Sequence, residues 1–156
     1  TQNPIDQVGT SPLPESQLDR FLMRISLGKP NRSAEKEILK GRNISPNDIE
    51  QIMSKKDLIF MQLESKNLKV SNEIYEYILD LITESRKLKD RGLSTRAAIA
   101  IINASKACAY AQGQNHVLPD HVQFIFEAVA EHRLDNGFLE SSSISNRILE
   151  EVDAIR

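Results

Sequence analysis

Gly92-Leu-Ser-Thr-Arg-Ala-Ala-Ile-Ala-Ile-Ile-Asn-Ala-Ser-Lys-Ala-Cys-Ala-Tyr-Ala-Gln-Gly-Gln114 is the stretch that decides the fold, because both ends of one long helix are written into it. Ser94 is placed to be the N-cap, and Gly113 the left-handed residue just past the end. Between them the residues are apolar almost all the way round, apart from a narrow flank at Arg96, Asn103 and Lys106. A helix of that kind belongs in the middle of a bundle, with everything after Pro30 expected to pack against it. Arg96 is the odd residue. A cation in the first helical turn meets the positive end of the helix dipole, so an anion is expected beside it. On spacing alone that anion could be Glu127 or Glu131 of the next helix.

On the C-terminal side, Val117-Leu-Pro119-Asp120 opens another helix with Val122, Ile125, Phe126 and Val129 on one face. The chain from Asp135 reads as loop until Ser143, after which Ile144, Ile148, Leu149 and Val152 mark a last short helix. On the N-terminal side, Ser71 caps an amphipathic helix carrying Ile74, Tyr77, Ile78, Leu81 and Ile82. Its end runs into Arg86-Lys87-Leu88-Lys89-Asp90-Arg91, which reads as cations at a helix C-terminus rather than a nucleic-acid patch. Ser45-Pro46 is expected to start a helix as N-cap and first residue, continued by Leu58, Met61 and Gln62 toward Asn67. Ser33 or Asn31 caps a shorter one through Leu39, broken by Gly41. Gly28 to Arg32 is a natural linker. Ahead of it, Phe21-Leu-Met-Arg-Ile-Ser-Leu27 alternates like a strand with one buried face, and Pro12-Leu-Pro14 leads into a short helix over about residues 15–20. A single strand is not a sheet, so its partners are expected outside this chain or in another copy.

The composition is that of an ordinary globular protein: 156 residues, 40% hydrophobic, 27% charged, net charge -2. That balance gives no general attraction to nucleic acid or to an anionic membrane. The single cysteine, Cys108, lies among alanines and suits core packing; one thiol forms no internal disulfide. His116, His121 and His132 do not share a helical face at ligand spacing, so no metal site is expected. No apolar run is long enough to span a membrane and no signal-peptide pattern opens the chain, which reads as cytoplasmic. It begins on Thr1 in the middle of a motif and reads as a piece of something larger. There is no G-x-S-x-G and no G-x-x-x-x-G-K-[ST] phosphate loop. The chain by itself is therefore not expected to bind nucleotide tightly or to hydrolyse it.

Three polar positions stand out: Asn3 before a proline, Arg20 after Gln-Leu-Asp, and Arg96. On local spacing Arg20 could be a helix-end charge beside Asp19, and Asn3 part of an Asn-Pro turn. A longer match goes further. Thr1-Gln-Asn-Pro-Ile-Asp-Gln-x-Gly-Thr-x-Pro-Leu-Pro-Glu-x-Gln-Leu-Asp-Arg-Phe21 resembles the stretch that MoxR-family AAA+ ATPases carry from sensor 1 to the arginine finger. Gly92-Leu-Ser-Thr-Arg-Ala-Ala98 is similar to their sensor 2 motif, usually Gly-Ala-Ser-Pro-Arg-Ala. Asn115-His-Val-Leu-Pro-Asp-His-Val122 resembles the Asp-Tyr-Val-Thr-Pro-Glu-Asp-Val that follows. His132-Arg-Leu134 and Ile148-Leu-Glu-Glu-Val152 also match the family's C-terminal region. Thr95 in place of the usual proline and Leu118 in place of the usual threonine depart from the pattern, and are expected to loosen two helix starts slightly.

The resemblance implies a mainly α chain: the last helix and strand of an α/β P-loop core over residues 1–29, then a helical-bundle lid over 30–156. It implies that Asn3 is sensor 1, orienting the attacking water; that Arg20 is the arginine finger, reaching a neighbouring subunit's γ-phosphate; and that Arg96 is sensor 2, closing on bound nucleotide. The residue types suit phosphoryl transfer, which depends on positioning and charge stabilisation. ATP and Mg2+ are implied as cofactors, with the Mg2+ ligands outside this chain. So are self-association into a ring, expected as a hexamer, and chaperone-like action on partner proteins, often ones with a von Willebrand factor A domain. Neither nucleic acid nor membrane is expected as a partner. Two other classes stay open: a DNA-remodelling or helicase relative within the AAA+ group, and a non-enzymatic helical interaction module.

Overall fold

Asn31, Ser54, Ser94 and Ser143 each accept a backbone N–H at a helix start, and these caps set the element boundaries. The computed structural model describes residues 13–42, 45–88, 92–134 and 143–154. Within them the helices are α1 Glu15–Leu18, α2 Arg32–Leu39, α3 Lys55–Asn67, α4 Asn72–Ser85, α5 Thr95–Ala111, α6 Pro119–Leu134 and α7 Ile144–Glu151, with a 3-10 turn at Pro46–Asp48. The chain is mainly α, as its periodicity predicts.

The stretch from Gly92 to Gln114 folds as expected. Ser94 Oγ accepts from Ala97 N, and Gly113 sits at φ 72°. The helix closes with Gly113 N donating to Tyr110 O and Gln114 N to Ala109 O, the paired bonds of a Schellman end. α5 packs against α3, α4 and α6, while α7 crosses α4 and α6. Leu81, Ile101, Val122, Phe126 and Val129 are wholly removed from solvent between these helices. Each such side chain contributes roughly 1.5–3 kcal/mol. The predicted faces of α4 and α6 are the buried ones: Ile74, Tyr77, Ile78, Leu81 and Ile82 on the first, Val122, Ile125, Phe126 and Val129 on the second.

Four expectations differ from the structure. α5 is not covered all round: Ala97, Ala100, Ile101, Ala104, Ser105 and Ala109 are buried, but Ile99 is 56% exposed and Ala107 faces solvent. α2, capped by Asn31 rather than by the alternative Ser33, has no buried residue and packs against no other helix among the described residues. The helix expected from Pro46 stops after one 3-10 turn, and α3 begins anew at Lys55. Ser54 and Asp57 form a reciprocal capping box there, a Ser-x-x-Asp signal present in the sequence but outranked by the more obvious Ser-Pro.

The fourth difference is the strand. Phe21 to Leu27 runs without regular secondary structure, and among the described residues the only ladder contact is an isolated bridge between Lys69 and His116. Extended backbone without a partner strand must bond elsewhere. Here it lies on α6, with Arg24 N donating to Ala128 O at 2.8 Å. Leu22 and Met23 form one wall of an open groove of about 480 Å³ whose other sides include Asn103, Cys108 and Phe124. Ile25 and Leu27, at 71% and 95% exposure, are uncovered.

Candidate functional site

The start of α5 is held from behind by the end of α4. Ser85 Oγ donates to Ile82 O at 2.6 Å and accepts Leu93 N at 3.0 Å, while Arg86 Nε donates to Leu93 O at 3.2 Å. Arg86 lies so close over Gly92 that a Cβ there would stand 2.5 Å from its Cγ and 2.9 Å from its Cα. Glycine is therefore required by close approach. These contacts fix Leu93, and with it the direction in which Ser94 and Arg96 leave the bundle.

Three groups converge on Asp19, just past the end of α1. Ser94 Oγ donates to Asp19 Oδ1 at 2.9 Å, so the hydroxyl that caps α5 also binds a carboxylate. Arg133 Nε, from the last turn of α6, donates to the same oxygen at 3.1 Å. Arg96 Nη1 stands 3.6 Å from Asp19 Oδ2, an ion pair rather than a hydrogen bond. Asp19 is thus the anion that the cation in the first turn of α5 calls for. Glu127 and Glu131 are not: Glu127 is exposed, and Glu131 caps α7 instead, accepting from Ser143 Oγ, Ile144 N and Ser145 N at 2.8 to 3.1 Å. Burial pushes the Glu131 carboxyl up, but the bonds from Ser145, Ser143 and Ile144 outweigh it and hold it below its ordinary value.

Arg133 makes the densest set of contacts in the site. Its side chain is only 4% exposed. Besides Asp19 Oδ1, it donates to the carbonyls of Asp19 at 3.1 Å, Leu22 at 3.3 Å, Phe21 and Val129. Every N–H of the guanidinium is thereby used. Next to it, His132 is 4% exposed, with Nε2 3.3 Å from Phe21 O. A carbonyl only accepts, so Nε2 carries the proton, leaving the buried Nδ1 without a partner. Burial, then the charge of Arg133, pushes the His132 pKa down and keeps the ring neutral.

Of the three residues singled out in the sequence, Asn3 lies outside the described residues. Arg20 and Arg96 are brought to the same end of the bundle through Asp19, and both are exposed. Arg20 has no side-chain partner among the described residues. Each suits an anionic ligand as an always-charged forked donor open to solvent, and Arg96 already rests on a carboxylate that it can exchange for a phosphate. Asp19 would keep Ser94 and Arg133 after such an exchange. Among the described residues no three His, Cys, Asp or Glu side chains converge, so no Mg2+ ligand is assigned to them. No helix of the described residues is long and apolar enough to cross a membrane. Asp19 and Arg133 were not recognised as site residues from sequence, although His132-Arg-Leu134 belongs to the matching C-terminal region. The Leu118 helix start is also better satisfied than expected, because His121 Nδ1 accepts Leu118 N at 2.9 Å.

Comparison with known proteins bears on these residues directly. Residues 83–152 match the AAA lid domain family, and residues 1–23 match the ATPase family associated with various cellular activities (AAA). The chain is 35% identical over 138 residues to the uncharacterized protein YeaC of Bacillus subtilis, covering 86% of this chain and 43% of that one. It is 34% identical over 145 residues to the chaperone MoxR1 of Mycobacterium tuberculosis, covering 86% of this chain and 38% of that one. A crystal structure from Cytophaga hutchinsonii, described as a candidate ATPase, superposes with a TM-score of 0.82 at 30% identity over 97% of this chain and 52% of its own. The chain thus spans roughly two fifths of these two sequence relatives and about half of the crystallised one.

Proposed function

The chain belongs to the MoxR-like AAA+ ATPases, and from that premise we propose that it supplies three polar groups to the ATP sites at the subunit interfaces of a ring. Asn3 is the sensor 1 residue that orients the attacking water. Arg20 is the finger directed at a neighbour's γ-phosphate, and Arg96 is the sensor 2 residue that meets nucleotide when the lid closes. Residues 1–29 form the end of the α/β core, and residues 30–156 form the lid. The whole protein hydrolyses Mg-ATP in the cytoplasm as a ring, in the form of a hexamer. It uses the cycle in a chaperone-like way on partner proteins, among them ones with a von Willebrand factor A domain.

One observation carries this reading. Asp19 ties the residue before Arg20 to the first turn of α5, and it does so while leaving both guanidiniums open to solvent. Arg133, by contrast, is buried with all its donors used and has none left to offer a ligand. Bound ATP supplies the phosphoryl group and the developing negative charge; Arg20 and Arg96 supply fixed positive charge with forked geometry, and neither needs to move a proton.

The test is Arg20→Ala in the full-length protein. ATP binding is expected to stay near normal while hydrolysis falls by about 10³ to 10⁵, the range of arginine fingers in GTPases. Turnover at the wild-type rate would remove the finger role from Arg20.

A further inference from the structure

We propose that Arg133 is a positioning residue for the arginine finger, acting from the lid through the backbone on either side of Arg20. This rests on the finger role of Arg20 given above. The geometry behind it is unusual for a surface-loop contact. A single guanidinium, nearly buried, binds the carbonyl of the residue before Arg20, the carbonyl of the residue after it, and the carbonyl of Leu22. It also binds the Asp19 carboxylate. Val129 O, on the preceding turn of α6, takes the remaining donor and fixes the guanidinium to its own helix. His132 adds a bond to Phe21 O from the same turn.

The stem of Arg20 is therefore held to α6, while the side chain itself points into solvent with no described partner. Among the described residues its own backbone adds only short-range bonds: α1 is one turn long, and Arg20 N and Phe21 N bond back to Gln17 O and Leu18 O. A finger works by placing charge where the neighbour's transition state develops it, so a stem free to wander loses rate before it loses binding. Because Asp19 is shared with Ser94 and Arg96, the finger's stem also rests on the helix start that carries the proposed nucleotide sensor. Lysine cannot replace Arg133, since one point charge on a flexible stem cannot bond several divergent carbonyls at once.

The experiment is a mutant cycle in the full-length protein, read as steady-state ATPase kinetics. Arg20→Ala, Arg133→Gln, Arg133→Lys and each Arg133 substitution combined with Arg20→Ala are compared. Arg133→Gln is expected to lower kcat by on the order of 10²-fold, the scale of a misplaced catalytic group, with the KM for ATP changed less than about threefold. Arg133→Lys is expected to lower kcat also, without restoring the wild-type rate. In the Arg20→Ala background neither substitution should reduce kcat further, because the group it positions is gone. Losses that multiply in the double variants, or a raised KM with intact kcat, would overturn the positioning role while leaving the finger in place. A wild-type rate for Arg20→Ala would overturn the finger and this inference together. Should Arg133→Gln fail to fold, the Arg133→Lys cycle decides by the same criterion.

Discussion

Arg96→Ala separates a residue that holds the bundle together from one that waits for a ligand. Its ion pair with Asp19 is 3.6 Å long and the Arg96 side chain is 58% exposed, against 26% for Asp19. At that distance two unit charges attract by about 1 kcal/mol in water. Measured pairs of this exposure contribute about 0.2–1 kcal/mol after side-chain ordering and salt screening. The opposing effect is local: a cation in the first turn of a helix costs about 0.3–1 kcal/mol against the dipole. The two nearly cancel. Asp19 is also not left alone by the substitution, because Ser94 and Arg133 still bond it. Melting of the 156-residue chain should therefore shift by less than about 4 °C in either direction. With nucleotide the expectation reverses. Losing a charged donor to phosphate removes about 1.5–3 kcal/mol, which is about 10- to 150-fold in ATP affinity of the full-length protein. Thermal melting of the chain and ATP titration of the full-length protein, each with and without Arg96, make the comparison. A fall in Tm beyond about 8 °C with unchanged ATP affinity would show that Arg96 is structural and that the sensor 2 reasoning fails.

Gly92→Ala should destabilise the chain by about 1–3 kcal/mol, because the new Cβ overlaps the Arg86 backbone as well as its side chain; urea denaturation showing no loss would mean that the α4–α5 connection relaxes freely. Stability should also fall in two stages on acidification. His132 has a folded pKa below its ordinary 6.5, so the unfolded chain takes up that proton first and stability declines as pH drops below about 6.5. Glu131 has a folded pKa below its ordinary 4.5, so its contribution is present above that value and is lost as pH falls through the lower, folded one. Urea midpoints measured from pH 7 to 3 check both: His132→Gln should flatten the first stage and Glu131→Gln the second, whereas stability rising between pH 7 and 5 would contradict the buried neutral histidine.

What the sequence determined by itself was whatever depends on neighbours a few residues apart. The Ser94 cap, the Gly113 end and the buried faces of α4 and α6 follow from side chains reaching their own backbone, or from which residues fall on one side of a helix. The positions of Arg20 and Arg96 were legible for another reason: their surrounding motifs are continuous runs. Where two local signals compete, as at Ser45-Pro46 and Ser54-Lys-Lys-Asp57, local pattern does not say which one starts the long helix, and it is the second that does. Only the tertiary structure decided which acid meets Arg96. Glu127 and Glu131 lie one helix away and have suitable charge, but the packing of α6 against α5 turns Glu131 toward the start of α7 and brings Arg133 to Asp19. Asp19 and Arg133 are separated by 114 residues, and nothing local to either marks the other as its partner. Charge attraction has no sequence period. A carboxylate takes whichever donors the packed helices bring within about 3 Å, and that choice is made by the apolar faces, which set the helix positions.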